Sequence, residues 1–156
     1  KMGLFKRKVE ISCPIGGKVS PLEYCPDNVF SKGITGEGCV IFPTDNKVYA
    51  PFDAKIEFVF DLKHALVLKG QGIECLIHVG LDTNILRGEG FEVFVEPNQN
   101  VKKGELLLQF DFQILKKNKC IDVTPLVFTN LNRRDITVNK YGMVEANEPF
   151  ITIERK

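Results

Sequence analysis

The chain is built from short segments suited to β-strands and separated by turn-forming residues. Segments of about four to seven residues, rich in β-branched and aromatic side chains, recur between Gly, Pro, Asn and Asp. Such a pattern predicts a sandwich or barrel rather than a helical domain. The predicted strands cover residues 17–22, 39–42, 54–60, 65–69, 73–79, 91–95, 105–110, 126–129, 136–139 and 150–154.

Alternation and helix signals refine this prediction. In the segment 54–60, Ile56, Phe58 and Phe60 are predicted to share one face, with charged residues between them on the other. Helix is expected only as one turn at 82–86 and two turns at 111–118, the second capped by its first residue, an aspartate. The fold class predicted is therefore all-β, an antiparallel sandwich or barrel-like domain with very short helices.

The domain organisation is predicted to be simple. Residues 1–8 are expected to be a basic N-terminal tail and residues 9–156 a single domain, because no linker divides the chain. Residues 14–19 and 51–56 share a Pro-apolar-x-x-Lys-β-branched pattern, which fits a fold with duplicated halves.

Charge and cysteine content exclude several classes of function. The net charge is +1, from 21 basic and 20 acidic residues, so the chain lacks the basic footprint expected of a nucleic-acid-binding protein. No apolar run approaches the roughly 20 residues of a membrane span, and the basic start is too short for a signal peptide. We expect a cytoplasmic protein without strong membrane insertion. The five cysteines, an odd number without a C-x-x-C pair, predict buried free thiols and no metal or other cofactor.

The only two histidines, His64 and His78, lie at the ends of apolar segments. A neutral imidazole is nucleophilic near neutral pH and could hold a phosphoryl group transiently. The 73–79 strand would place His78 on the same face as Leu76, in an apolar surface. The Gly80 carbonyl, two residues beyond His78, is within reach of its ring and could fix the tautomer.

A hairpin would bring the two histidines together. The turn at 70–72 is predicted to join two strands, with His64 six residues before it and His78 six residues after it. The rings would then lie opposite one another. Taken alone, each histidine fits a structural role better than a catalytic one, so the functional interpretation depends on the pairing.

Several segments resemble one family, the glucose-class IIA domain of the bacterial phosphoenolpyruvate-dependent sugar phosphotransferase system. The similarity runs from about residue 9 to the C-terminus and is most specific over 77–91. The matching segments are 26–31, 36–38, 43, 46–47, 50–53, 63–65, 77–83, 86–91, 101–104, 110–111, 124–127 and 130.

The resemblance implies a β-sandwich of the duplicated hybrid motif type that works as a IIA phosphotransfer domain without a cofactor. It would accept a phosphoryl group from the phosphocarrier protein HPr and pass it to a cysteine of the IIB domain of a sugar permease. The family motif assigns the acceptor to His78, on Nε2, and the residue that hydrogen-bonds the phosphoryl oxygens to His64. By the same resemblance, docking residues fall on Asp27, Asp82, Val29, Phe30, Ile34 and Phe60.

The chain also departs from the family pattern. Leu62 stands where a threonine is often found two residues before the supporting histidine, so a hydroxyl is missing there. Asn28, Thr35 and Asn84 replace frequent valines, which makes the docking face more polar.

Two alternative functions remain open at this stage. One is a regulatory binding module that acts on transporters or kinases through the His78 face, with or without chemistry. The other is a zinc peptidase of related β fold, which needs more histidines than the two present.

Overall fold

The computed structural model describes residues 8–155 and contains fourteen strands and one short α-helix within them. Each predicted strand is present, and four further strands lie outside the predicted ranges. In chain order the strands are β1 (Lys8–Ser12), β2 (Gly17–Pro21), β3 (Glu37–Pro43), β4 (Lys47–Tyr49), β5 (Ala54–Val59), β6 (Ala65–Gly70), β7 (Ile73–His78), β8 (Phe91–Val93), β9 (Asn100–Val101), β10 (Leu106–Phe110), β11 (Thr124–Phe128), β12 (Ile136–Val138), β13 (Gly142–Val144) and β14 (Pro149–Glu154). The predicted tail, residues 1–8, lies outside the described residues except for Lys8, which begins β1.

The strands form three sheets. An eight-stranded sheet has the order β13-β2-β3-β11-β7-β6-β5-β9, and two three-stranded sheets have the orders β1-β14-β12 and β4-β10-β8. The pairings described are all antiparallel. The predicted all-β antiparallel fold is therefore confirmed.

The large sheet buries apolar side chains on both of its faces. Its inner face supplies Ile41, Leu66 and Ile77 to the main core, where all three are fully buried. On its outer face a second, smaller cluster gathers around Val127, with Leu76 among its members. This second cluster forms the floor of the histidine site.

The two repeated segments occupy equivalent places in the fold. The Cys13 N–H donates to the Glu148 carbonyl, and the Ala50 N–H donates to the Glu105 carbonyl, each at 2.8 Å. The Tyr49 N–H, which lies just before the second segment, donates to the carbonyl of Pro14 in the first segment at 2.8 Å. The strand at the end of the first segment, β2, pairs with β13, and the strand at the end of the second segment, β5, pairs with β9. The sequence pattern shared by residues 14–19 and 51–56 therefore corresponds to a structural duplication.

The predicted hairpin joins β6 to β7, with a register that differs by one residue from the expected one. Gly70 pairs with Ile73, so the loop has two residues, Gln71 and Gly72, both with positive φ (53° and 77°). Positive φ at both loop positions is the geometry that follows the strand twist in a tight hairpin. As a result Ala65, rather than His64, pairs with His78.

The observed strand β5 differs from the alternation predicted for residues 54–60. Ile56 pairs with Leu68 and Phe58 pairs with Val67. The chain therefore advances two residues along β5 but only one along β6, which leaves Glu57 as an extra, unpaired residue. A bulge of this kind reverses the side on which the following side chains lie. Ile56 is fully buried while Phe58 is 51% exposed, so these residues do not share a face.

Both predicted short helices are present, and three further 3-10 turns that were not predicted lie at Leu22–Tyr24, Phe30–Lys32 and Arg133–Asp135. Residues Thr83–Leu86 form a single 3-10 turn, and α1 (Phe112–Lys117) begins after Asp111. The Asp111 carboxylate accepts hydrogen bonds from the backbone N–H groups of Gln113 and Ile114, as an N-cap does. The five cysteines are unbridged and buried, as predicted.

Candidate functional site

His78 is the last residue of β7 and stands at the edge of the second apolar cluster. Its neighbours in the strand are divided between the two faces, with Ile77 in the main core and Leu76 in the second cluster. The Phe30 ring lies against the imidazole, with ring centroids 5.2 Å apart. The ring is thus held in an apolar surface, as the alternation predicted, and remains partly accessible.

The His78 ring is oriented by a backbone carbonyl. Its Nδ1 lies 2.8 Å from the carbonyl oxygen of Gly80. Since a carbonyl only accepts, a neutral His78 ring carries its proton on Nδ1 and donates there. This leaves the lone pair of the ring on Nε2.

Gly80 can hold that carbonyl in place only because it lacks a side chain. Its φ is 80°, and a Cβ built there would lie 2.4 Å from Thr83 Cγ2 and 2.7 Å from the Ile121 carbonyl. The buried Thr83 hydroxyl donates to the Val79 carbonyl at 2.7 Å, and Leu81 N–H donates to the Ile121 carbonyl. The turn after His78 is therefore fixed from both sides.

His64 lies in the connection between β5 and β6 rather than within a strand. Phe60 N–H donates to the Ala65 carbonyl, which closes a four-residue loop that ends in His64. The preceding Lys63 has φ 68°, so the chain leaves extended geometry just before the histidine. The His64 carbonyl accepts from Val79 N–H at 2.7 Å, while its ring meets the His78 ring at a centroid distance of 4.8 Å.

One nitrogen of His64 has no partner within residues 8–155. The side chain is only 5% exposed, and its Nδ1 is buried without a hydrogen bond of acceptable geometry. The Leu62 backbone favours the protonated ring, but the leucine side chain supplies no hydroxyl. The departure noted in the sequence thus coincides with an unsatisfied ring nitrogen. Thr35, another departure, likewise buries its hydroxyl without a partner there.

Both rings are held in the neutral state. Burial and, to a smaller extent, the adjacent His64 lower the pKa of His78 to about 4, against the opposing effects of the Gly80 carbonyl and the charge of Asp27. Burial also lowers the pKa of His64, against a smaller opposing effect of the Leu62 backbone. Neutral rings at physiological pH leave the His78 Nε2 lone pair available for attack.

The Asp27 carboxylate has a structural role beside its predicted docking role. It accepts backbone N–H bonds from Val29 at 3.0 Å, Phe30 at 2.7 Å and Ser31 at 3.0 Å. Burial alone would raise the pKa of Asp27, but these three bonds, with that of the Cys25 thiol, outweigh burial and lower it. Asp27 thus organises the 3-10 turn Phe30–Lys32 and keeps a negative charge beside His78.

The second predicted docking aspartate, Asp82, is exposed and has φ 61°. It precedes the Thr83–Leu86 turn, and its side chain makes no capping hydrogen bond. The Asp82 side chain is therefore exposed and takes no part in capping the turn that follows it.

The predicted apolar docking residues differ in exposure. Val29 is 45% and Ile34 67% exposed, whereas Phe60 is half-buried and Phe30 is only 8% exposed. The Phe60 ring meets that of His64 at 5.5 Å and that of His78 at 6.5 Å. Phe30 and Phe60 thus frame the two imidazoles, and Val29 and Ile34 extend the surface outward.

Two residues with a clear place in this site are absent from the sequence-based assignment. Thr83 locks the turn after His78 through a bond to the carbonyl four residues earlier, a habit of threonine that could have been anticipated. Phe58 reaches the histidine side of the sheet only because of the bulge at Glu57, which leaves no signal in the sequence.

Two features are absent from the described range, residues 8–155. Three or more His, Cys, Asp or Glu side chains do not converge anywhere within it to form a metal site. None of the helices in it has both the length and the apolar character needed to cross a bilayer.

Comparison with known proteins places the chain among sugar phosphotransferase components. Residues 9–134 match the model of the family described as phosphoenolpyruvate-dependent sugar phosphotransferase system, EIIA 1. The chain is 42% identical over 147 residues to the "PTS system glucose-specific EIICBA component" of Staphylococcus saprophyticus, covering 94% of this chain and 22% of that protein. The fold matches glucose permease IIA from Mycoplasma capricolum with a TM-score of 0.87 and 32% identity, over 94% of this chain and 96% of that one. The chain thus spans about a fifth of the length of its staphylococcal relative.

Proposed function

This chain belongs to the EIIA 1 family of the phosphoenolpyruvate-dependent sugar phosphotransferase system, and on that premise we propose that it carries a phosphoryl group on His78. The group arrives from the phosphocarrier protein HPr and leaves to a cysteine of the IIB domain of a sugar permease. The protein then couples sugar uptake to sugar phosphorylation from the cytoplasmic side. Glucose is the proposed sugar, since the relatives that match are named for it.

The observation that carries the proposal is the asymmetric pair of imidazoles. His78 has one nitrogen bound to the Gly80 carbonyl and the other free, while His64 faces it at a ring distance of 4.8 Å. The two rings thus take different parts in one transfer, one as nucleophile and one as hydrogen-bond donor.

In the loading step, the Nε2 lone pair of His78 attacks phosphorus as the P–N bond to the donor imidazole breaks. The donor histidine leaves with the bond's electron pair. Because a P–N bond replaces a P–N bond, the step is close to isoenergetic, and alignment and electrostatics control its rate. The Gly80 carbonyl keeps its hydrogen bond to Nδ1–H throughout and disperses the positive charge that develops on the ring.

His64 stabilises the charge on the transferring group. Because Nδ1 of His64 has no hydrogen-bond partner in residues 8–155, a proton there would be a buried, unpaired N–H, so the neutral ring carries its proton on Nε2. That N–H then donates to a phosphoryl oxygen in a site where burial strengthens the bond. In the second step a cysteine thiolate of the IIB domain attacks phosphorus, and the P–Nε2 bond returns its electrons to His78.

The docking face surrounds the histidines. Asp27 and Asp82 provide negative charge for basic side chains of both partners, and the apolar residues around Val29 and Ile34 exclude water from the transferring group. The regulatory-module and zinc-peptidase alternatives find no support in the family assignment.

The test is a reconstituted transfer with enzyme I, HPr and labelled phosphoenolpyruvate. We expect acid-labile label on the wild-type chain and none on His78→Gln, with His64→Gln as the matched histidine control that still takes up label. Label on His78→Gln at the wild-type level would show that another residue is the acceptor. Absence of label on folded wild-type protein would refute the phosphoryl-carrier function itself.

A further inference from the structure

Phe58 is a large apolar side chain that the alternation of its strand does not bury. It is 51% exposed on β5, the next-to-last strand of the eight-stranded sheet, while its strand neighbour Ile56 is fully buried. Regular alternation would have buried both together. The irregularity at Glu57 instead turns Phe58 to the side of Val67, which packs on the second apolar cluster.

This orientation makes Phe58 continuous with the histidine site. Its ring meets the Phe60 ring edge-on at 5.2 Å, and Phe60 meets the His78 ring at 6.5 Å. These two ring-to-ring steps place Phe58 within about 12 Å of the acceptor imidazole. A protein that brings a phosphoryl group to His78 covers about 800 Å² of this surface, a patch roughly 30 Å across, so Phe58 falls inside its footprint.

Resting on the proposed function, we propose that Phe58 is a docking anchor for the phosphohistidine donor HPr, turned toward it by the bulge at Glu57. Bulges are frequent beside active sites, where they redirect a side chain. Because the exposed Phe58 ring already packs against the Phe60 ring, it loses little conformational freedom on binding. This is the property of an interface anchor.

The donor fits this anchor better than the acceptor domain does. The staphylococcal relative is named an EIICBA component, in which the A and B units belong to one protein. A tethered B unit meets the A unit at an effective concentration set by the linker and needs little surface affinity. A freely diffusing donor has no such help and must gain its affinity from contacts such as the Phe58 ring.

The experiment measures loading of this chain by phosphorylated HPr under initial-rate conditions. For Phe58→Ser we expect KM for this chain to rise about tenfold with kcat unchanged, the size of effect typical for removing an interface aromatic. Phe58→Leu retains apolar area and should recover most of the loss. Phe94→Ser is the matched control, since Phe94 is 43% exposed and follows β8 in another sheet.

The other outcomes separate the inference from the proposed function. Equal KM values for Phe58→Ser and Phe94→Ser, with wild type loading normally, would overturn the anchor while leaving the carrier function intact. A fall in kcat without a rise in KM would instead assign Phe58 to positioning of Phe60 and the histidines. Normal loading with slowed transfer to the separate IIB domain would make the acceptor, not HPr, the occupant. Failure of wild type to load would contradict the proposed function rather than this inference.

Discussion

The imidazoles of His64 and His78 meet edge to face, with centroids 4.8 Å apart and ring planes at 82°, although strand register pairs His78 with Ala65. The contact is possible because His64 precedes β6 and is not bound by strand alternation. Lys63, with φ 68°, turns the chain immediately before it. The two rings therefore approach from different kinds of backbone, one from a strand and one from a loop.

The first prediction concerns the supporting ring. His64→Gln should still accept label from HPr but transfer it to the IIB domain about a hundredfold more slowly, because a preorganised donor to the phosphoryl oxygens is lost. Single-turnover transfer from the purified phosphorylated variant measures this step directly. Wild-type transfer rates in this variant would remove His64 from the mechanism.

The second prediction concerns pH and stability. The pKa of His78 is about 4 in the folded chain, against about 6.5 when unfolded, so between these values the unfolded state binds more protons. Stability should therefore fall as pH drops from 6.5 toward 4, by up to about 3 kcal/mol from this group. Denaturant midpoints across this range should decline less steeply for His78→Gln, which cannot titrate at this position. Parallel profiles for the two proteins would contradict the lowered pKa.

The third prediction tests the turn that orients His78. Gly80→Ala should cost about 3 kcal/mol or more of unfolding free energy, because a Cβ there meets Thr83 and the Ile121 carbonyl in addition to the strain of a positive φ. Gly142→Ala is the matched control, since Gly142 has φ 88° with no atom within 4 Å of the added Cβ. It should cost about 1 kcal/mol. Comparable losses of unfolding free energy in Gly80→Ala and Gly142→Ala would contradict the close packing around Gly80.

The fourth prediction separates the two docking aspartates. Asp27→Asn and Asp82→Asn should both slow loading by HPr, because each removes a negative charge from the docking face. Only Asp27→Asn should also lower the unfolding free energy, by about 1 kcal/mol, since its carboxylate accepts three backbone N–H bonds and that of Asp82 caps nothing. Chemical denaturation alongside loading kinetics distinguishes the two effects. A loss of stability in Asp82→Asn alone would reverse the roles assigned here.

Local sequence signals predicted much of the framework. The 70–72 turn, the strands beside it and the cap at Asp111 depend on residues close together in the chain, and each is present. The proximity of Nδ1 of His78 to the Gly80 carbonyl is likewise a two-residue relationship. Such features follow from local conformational preference and hydrophobic periodicity.

The sequence by itself therefore determined the β class, the hairpin and the identity of the two histidines that meet. Tertiary structure alone decided the one-residue register of that hairpin, the turn of Phe58 toward the site, and the unpartnered Nδ1 of His64. Register and bulges depend on which residues of a distant strand lie opposite, and a shift of one residue exchanges the faces of a sheet. Whether a buried nitrogen finds a partner depends on packing around it from several segments, which no single stretch of sequence encodes.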